Sequence, residues 1–185
     1  MKNGALSFQG NVDKGIANYL DSNSVSISSL YKRNEKNIDK SHFEELEIID
    51  DEGKNREEFG YQEEIFIKCN TFIKNEHIGA KISLQIRDQL ERVLFTSEIS
   101  IRDYIKSEGK LNFIIKIPGN ILVPNSYRVQ FAIHIPNVEF IELLQEVLQF
   151  TIIDTGTEFY MYGGADYGCV FVNCEWEKIS ESVLL

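Results

Sequence analysis

From Leu46 onward the chain alternates apolar and polar residues with a period of two. Leu46 and Ile48 are separated by Glu47, and Ile65, Ile67 and Cys69 by Phe66 and Lys68. Ile82, Leu84 and Ile86 alternate with Ser83 and Gln85, and Leu111, Phe113, Ile115 and Ile117 with Asn112, Ile114 and Lys116. Tyr127, Val129, Phe131 and Ile133 alternate with Arg128, Gln130 and Ala132. Successive side chains of a strand point to opposite faces, so each run predicts a strand with one buried and one wet face. Further strands are expected over Arg92–Thr96, Gln149–Ile153 and Cys169–Trp176, with Phe140–Val147 as the one stretch suited to a helix. Turn residues separate the runs at Asp50-Asp51-Glu52-Gly53, Pro118-Gly119-Asn120 and Pro124-Asn125-Ser126. The prediction is all-β: two antiparallel sheets packed as a jelly-roll or immunoglobulin-like β-sandwich.

The beginning reads differently. Val12, Ile16, Tyr19 and Leu20 recur at helical spacing, with Asp13 placed to favour a helix N-terminus, so a short helix is expected over Val12–Asp21. A polar stretch rich in Ser, Asn and Lys follows. The expected organisation is residues 1–22 as a short strand and helix, 23–42 as a linker, 43–179 as the sandwich and 180–185 as a tail.

Composition narrows the function. In 185 residues there are 19 Lys plus Arg against 29 Asp plus Glu, a net charge of −10, which opposes a grip on nucleic acid or anionic lipid. A neutral ligand such as a sugar is compatible with it. Cys69, Cys169 and Cys174 are too few for a disulfide framework and read as reduced cysteines of a cytoplasmic protein. Met1–Phe8 has too short an apolar stretch for a secretory signal, and no run has the length of a membrane span.

The motifs of common enzymes are missing. No Gly-rich loop ends in Lys-Ser or Lys-Thr, so no P-loop is present; Gly163-Gly164-Ala165-Asp166 reads as a loose connection. His42, His77 and His134 fall in three kinds of segment, and no metal or other cofactor is expected. Acidic doublets such as Glu44-Glu45 and Glu63-Glu64 point to opposite faces of a strand. They do not by themselves supply the two carboxylates, about 5–9 Å apart, of a glycoside hydrolase. What remains is a wet sheet face of amides, guanidinium groups and rings, suited to hydrogen bonding vicinal hydroxyls and stacking on a pyranose. An ordinary solvated face has the same pattern.

A resemblance adds to this. Leu46–Gly53, Phe59–Ile67, Ile86–Thr96 and above all Ile117-Pro118-Gly119-Asn120-Ile121-Leu122-Val123-Pro124-Asn125-Ser126-Tyr127 are similar, in order and spacing, to the C-terminal carbohydrate-binding domain of polysaccharide-exporting ABC transporters, the Wzt type of ATP-binding subunit. Two departures stand out: the Ile86–Thr96 hairpin lacks its usual turn glycine, and Asn125 replaces another glycine where the turn could require a left-handed backbone. Gly4–Gly10 and Ile16–Leu20 resemble the tail of such an ATPase domain.

The resemblance implies a non-catalytic, cytoplasmic domain that binds the end of a completed O-antigen-like polysaccharide for export. It implies partners in the transporter's nucleotide-binding domain and membrane subunit, and a homodimer exchanging its last strand, here Gly168–Trp176. For the carbohydrate-binding face the candidates are Phe66, Lys68, Gln85, Arg87, Gln130 and His134, which share one parity on strands expected to be neighbours, with Trp176 as a further candidate. The other readings are a protein-interaction sandwich that docks a partner on an edge strand, and a glycan hydrolase.

Overall fold

A computed structural model describes residues 28–35, 38–157, 161, 168–172 and 174–176. The expected helix Val12–Asp21, the Gly163-Gly164 connection and the tail 180–185 lie outside the described residues.

The alternating runs are strands, packed as a two-sheet β-sandwich. In chain order they are β1 (Leu30–Lys32), β2 (His42–Ile49), β3 (Glu58–Gly60), β4 (Ile65–Ile73), β5 (Lys81–Asp88), β6 (Val93–Ser100), β7 (Gly109–Ile117), β8 (Asn125–Ile135) and β9 (Glu139–Ile153). One sheet has the order β1-β2-β4-β7 and the other β3-β9-β8-β5-β6. All pairings are antiparallel except that of β3 with β9. Every second residue of β4 and β5 turns inward, and Phe43, Phe59, Tyr127, Phe131 and Phe150 fill the space between the sheets. Tyr127 is wholly buried and donates its hydroxyl to the Val123 carbonyl at 2.6 Å. A buried phenol needs such a partner, and this one ties the start of β8 to the loop before it.

One side of the sandwich is sewn together by polar groups. The Ser29 carbonyl accepts from Ile48 N on β2 (2.8 Å) and the Ser28 carbonyl from Gln149 N on β9 (3.2 Å), so this segment touches both sheets. Arg33 continues the seam: its Nε donates to the Phe43 carbonyl at 2.9 Å and its NH2 pairs with Glu142 of β9. The second oxygen of Glu142 accepts from Phe43 N at 2.6 Å. The segment expected as a linker up to residue 42 therefore already carries a strand, β1, and its three residues were too short a run to show alternation.

Three other expectations are corrected. Phe140–Val147 is strand, part of β9, because cross-strand pairing with β8 overrides its helix-like spacing. The expected strand Cys169–Trp176 is, among the described residues, a single bridge between Val170 and Leu122, with Phe171 N donating to the Ile121 carbonyl at 2.8 Å. Asn125 does not adopt the left-handed backbone; Asn120 and Asn137 do, with φ of 62° and 61°.

The close approach in the Pro118–Asn120 loop explains its glycine. A Cβ on Gly119 would lie 2.2 Å from the Gln62 carbonyl oxygen, where Asn120 N bonds the neighbouring Tyr61 carbonyl.

The hairpin that lacks a glycine between β5 and β6 solves its turn differently. Glu91 takes φ 60°, and Asp88, only 2% exposed, accepts from Leu90 N, Arg92 N and Arg92 Nε at 2.9, 2.9 and 2.6 Å. A left-handed conformation costs an ordinary residue about 1 kcal/mol. Glu91→Gly is therefore expected to raise stability by up to about 1 kcal/mol in urea unfolding, with the slope of the transition unchanged.

Candidate functional site

The outer face of the five-stranded sheet is laid out in rows by strand register. Lys81 of β5 stands opposite His134 of β8 and Ser100 of β6, and Phe140 of β9 lies beyond His134. The next row is Leu143, Ala132, Ser83 and Glu98, and the third is Gln130, Gln85 and Thr96. Arg128 and Arg87 form the fourth, with Gln149 on β9 and Val93 on β6. Rows on one face are two residues apart, about 6.6–6.8 Å. The small side chains of Ala132 and Ser83 thus make a low strip between two taller rows.

Two irregularities in β9 decide what this face carries. Ile133 pairs with Glu142 but His134 with Phe140, so Ile141 is an extra residue. That one-residue bulge reverses the alternation: Ile141 is buried, and Phe140 is turned outward, 59% exposed, its ring 5.8 Å from that of His134. Between Leu144, opposite Phe131, and Leu148, opposite Val129, β9 has two residues more than β8. Glu146, which unbroken alternation would aim at the core, takes φ 46° there and bonds Arg128 at 3.0 Å.

The polar groups are held in place by one another. Gln85 Nε2 donates to Thr96 Oγ1 at 3.2 Å, and Arg87 Nε donates to Gln85 Oε1 at 2.8 Å. Lys81 pairs with Glu98, whose other oxygen lies 3.7 Å from His134 Nε2. Hydrogen bonding from Lys81, aided by the Lys81 and His134 charges, holds the Glu98 carboxyl below its usual range against a smaller opposing effect of burial. Gln130 has no side-chain hydrogen bond among the described residues.

Of the sequence-predicted residues, the structure brings Gln85, Arg87, Gln130 and His134 together here. Phe66 and Lys68 lie elsewhere: β4 pairs with β2 and β7, so these two are on the outer face of the other sheet, across the core. The expectation that the six sit on neighbouring strands is therefore corrected. Several charged groups on that second face are already paired. Lys68 meets Glu47 at 3.9 Å, Lys32 meets Glu45 at 3.0 Å, and Lys116, ion-paired with Glu64 at 2.6 Å, lies over the Phe66 ring. Trp176 is 94% exposed in the segment beyond the Val170 bridge, so it is no part of this core.

The reading of alternation alone misses Lys81, Ser83, Glu98 and Phe140. Lys81 and Ser83 share the parity of Gln85, and Glu98 lies opposite Ser83 on β6, a strand that runs further than expected. Phe140 was hidden by the bulge, although Pro136-Asn137 between two apolar runs signals a hairpin.

Among the described residues no group of three or more His, Cys, Asp and Glu could hold a metal ion. His42 stacks on Phe72, His77 bonds the buried Ser41 hydroxyl, and His134 belongs to the face above; the three do not converge. No helix of the described residues is long and apolar enough to cross a membrane.

No family model matches the sequence, and no curated protein matches it. Among solved structures, the crystal structure of the C-terminal domain of Wzt aligns with 81% of this chain and 87% of that one, with a TM-score of 0.53 and 7% sequence identity. The chain has the fold of the Wzt C-terminal domain. At that identity the likeness to Wzt is one of backbone, and no side chain of the face is carried over from it.

Glu98 offers a direct check of the geometry. Lys81→Met removes the main cause of its lowered pKa, so the carboxyl should titrate closer to the ordinary range, about 4.3, in carbon-detected NMR. The sign for stability follows. A depressed carboxyl stabilises above its unfolded pKa, and that stability is lost as pH falls through the folded value; the variant should lose less between neutral and acid pH.

Proposed function

We propose that this chain is a non-catalytic carbohydrate-binding domain, and that the outer face of the five-stranded sheet is where the sugar sits. The observation that carries the reading is an exposed ring, Phe140, turned out of the core by a bulge onto a face of fixed amides and guanidinium groups. A ring covers the C–H face of a pyranose, and planar donors and acceptors beside it bond vicinal hydroxyls. The Wzt-like fold supports the finer reading. In it, the domain binds the end of a completed, O-antigen-like polysaccharide in the cytoplasm, at the inner face of the membrane. It works beside the nucleotide-binding domain and membrane subunit of an ABC transporter, which supply ATP hydrolysis and translocation.

The test is calorimetric titration with the polysaccharide of the source organism and with unrelated polysaccharides. Saturable binding to its own chain is expected, weakened about tenfold or more in Phe140→Ala, which loses the stacking surface, and unaffected in Lys116→Gln on the opposite sheet. Binding that ignores Phe140 moves the site; binding to no polysaccharide by the folded protein removes the reading.

One observation favours the protein-interaction reading instead. Among the described residues β6 and β7 are sheet edges paired on one side only, and Ile114 and Tyr104 stand 59% and 56% exposed at β7 and before it. An open edge can accept a partner strand.

The same proposal includes a homodimer that exchanges the segment Gly168–Trp176. Val170, Val172 and Trp176 are exposed to 40%, 71% and 94%, apolar side chains suited to a partner's surface. Light scattering should give twice the chain mass, and the chain mass alone at high concentration would remove the exchange.

A further inference from the structure

The two sheets have four edge strands among the described residues, and three of them are guarded. β1 and β3 are only three residues long. β6 is longer, but its ladder with β5 is broken at the shift between Ile86 and Arg87, where Leu94 is an extra residue. Shortness and bulges are two usual means of keeping a sheet edge from accepting another strand. β7 has neither. It runs for nine residues, Gly109–Ile117, contains no proline and pairs in unbroken register with β4. Among the described residues no strand pairs with its other side, so alternate N–H and C=O groups face outward along it.

Lysine is another common guard of an edge. β7 carries two, but both are turned back over their own sheet. Lys110 pairs with Glu44 at 3.1 Å, and Lys116 pairs with Glu64 at 2.6 Å while lying over the Phe66 ring. Between them stands Ile114, exposed on the outer face. On the inner side Phe113 and Ile115 are only partly buried, and the exposed Tyr104 ring stands perpendicular to that of Phe113, 5.1 Å between centroids. The edge is charge-balanced at its ends and apolar at its centre.

The strand that fits such an edge is β7 itself. Laid antiparallel about a twofold axis at Ile114, it sets Ile114 opposite the partner's Ile114, Phe113 opposite the partner's Ile115, and Leu111 opposite the partner's Ile117. Asn112 meets the partner's Lys116, and Lys110 falls beside the partner's Pro118, beyond the strand. Aromatic and β-branched pairs of this kind stabilise a ladder. Moving the axis to Phe113 sets Lys110 opposite the partner's Lys116, where like charges repel. Moving it to Ile115 sets Ile114 against the partner's Lys116.

We infer that β7 pairs with β7 of a second copy of this chain, joining two four-stranded sheets across a twofold axis at Ile114. This rests on the protein-interaction reading of the β7 edge and names the partner. It is independent of any sugar, and a dimer held this way needs no exchange of Gly168–Trp176.

The first arm of the test uses the full chain with Cys169→Ser and Cys174→Ser, the third cysteine, Cys69, being buried. Directly opposed residues have Cβ atoms about 4.5–5.5 Å apart, so Ile114→Cys in this background should be captured as a covalent dimer by mild oxidation. Lys110→Cys should not, because the two copies of position 110 lie roughly 26 Å apart along the paired strands. In the second arm, Ile114→Lys in the otherwise unaltered chain puts like charges on the axis and removes the apolar contact. Sedimentation should show self-association weakened about tenfold or more, whereas Ile114→Val should keep it. Position 114 is exposed, and urea unfolding checks that each variant is folded. A covalent dimer through position 110 and not 114 would overturn the pairing. So would a dimer whose mass survives Ile114→Lys, which would leave the exchange of Gly168–Trp176 standing. A link between position 114 and Cys174, in the chain with its native cysteines, would overturn it by placing the exchanged segment on this edge. A chain that stays monomeric at high concentration would overturn it and leave the edge to a different partner.

Discussion

Glu142 is a carboxylate that the fold has to bury, and much of the architecture follows from how it is satisfied. Its side chain is only 15% exposed and that of its partner Arg33 only 13%. Both of its oxygens are used, one by Arg33 and one by Phe43 N, while Arg33 Nε takes the Phe43 carbonyl. A pair removed from water in this way is tolerated only when its remaining hydrogen bonds are made, and losing one partner costs about 3–5 kcal/mol. The fork links the segment after β1, the bulged start of β2 and the first third of β9, so it clamps the two sheets along one side. Apolar packing can hold sheets together, but it does not fix their register. The fork does.

With β9 anchored there, its irregularities become useful. The extra residue at Ile141 sends Phe140 outward on one side of Glu142, and the two-residue bulge ejects Glu146 on the other. One strand thereby supplies an inward carboxylate for the seam, an outward ring and an outward carboxylate for Arg128. A regular strand could not deliver all three, because parity would put residues 140, 142 and 146 on the same side.

Alternation made the strand cores legible, and with them the sandwich class and the outward direction of Gln85, Arg87, Gln130 and His134. It did not reveal which strands share a sheet. β4 and β5 follow each other in sequence, yet the turn at Asn75–His77 carries the chain from one sheet to the other, and Phe66 and Lys68 go with the wrong one. Phe140 was lost because a bulge is one residue of local geometry with no compositional mark. β1 was lost because three residues surrounded by Ser and Lys carry no period. The missing turn glycine, by contrast, is visible in the sequence itself, and Glu91 with its caged Asp88 is the physical answer to it.

The low strip of Ala132 and Ser83 has a consequence for how such a surface could change over time. Its neighbours, the Phe140–His134–Lys81 row and the Gln130–Gln85–Thr96 row, are separated by four residues of strand, about 13–14 Å. That width is set by backbone rise and not by loop length. Insertions in the hairpins would leave it as it is, while a single exchange of a side chain would alter the height of one step. A surface of this kind diversifies in discrete increments, like the pins of a lock, and keeps its frame while it does so.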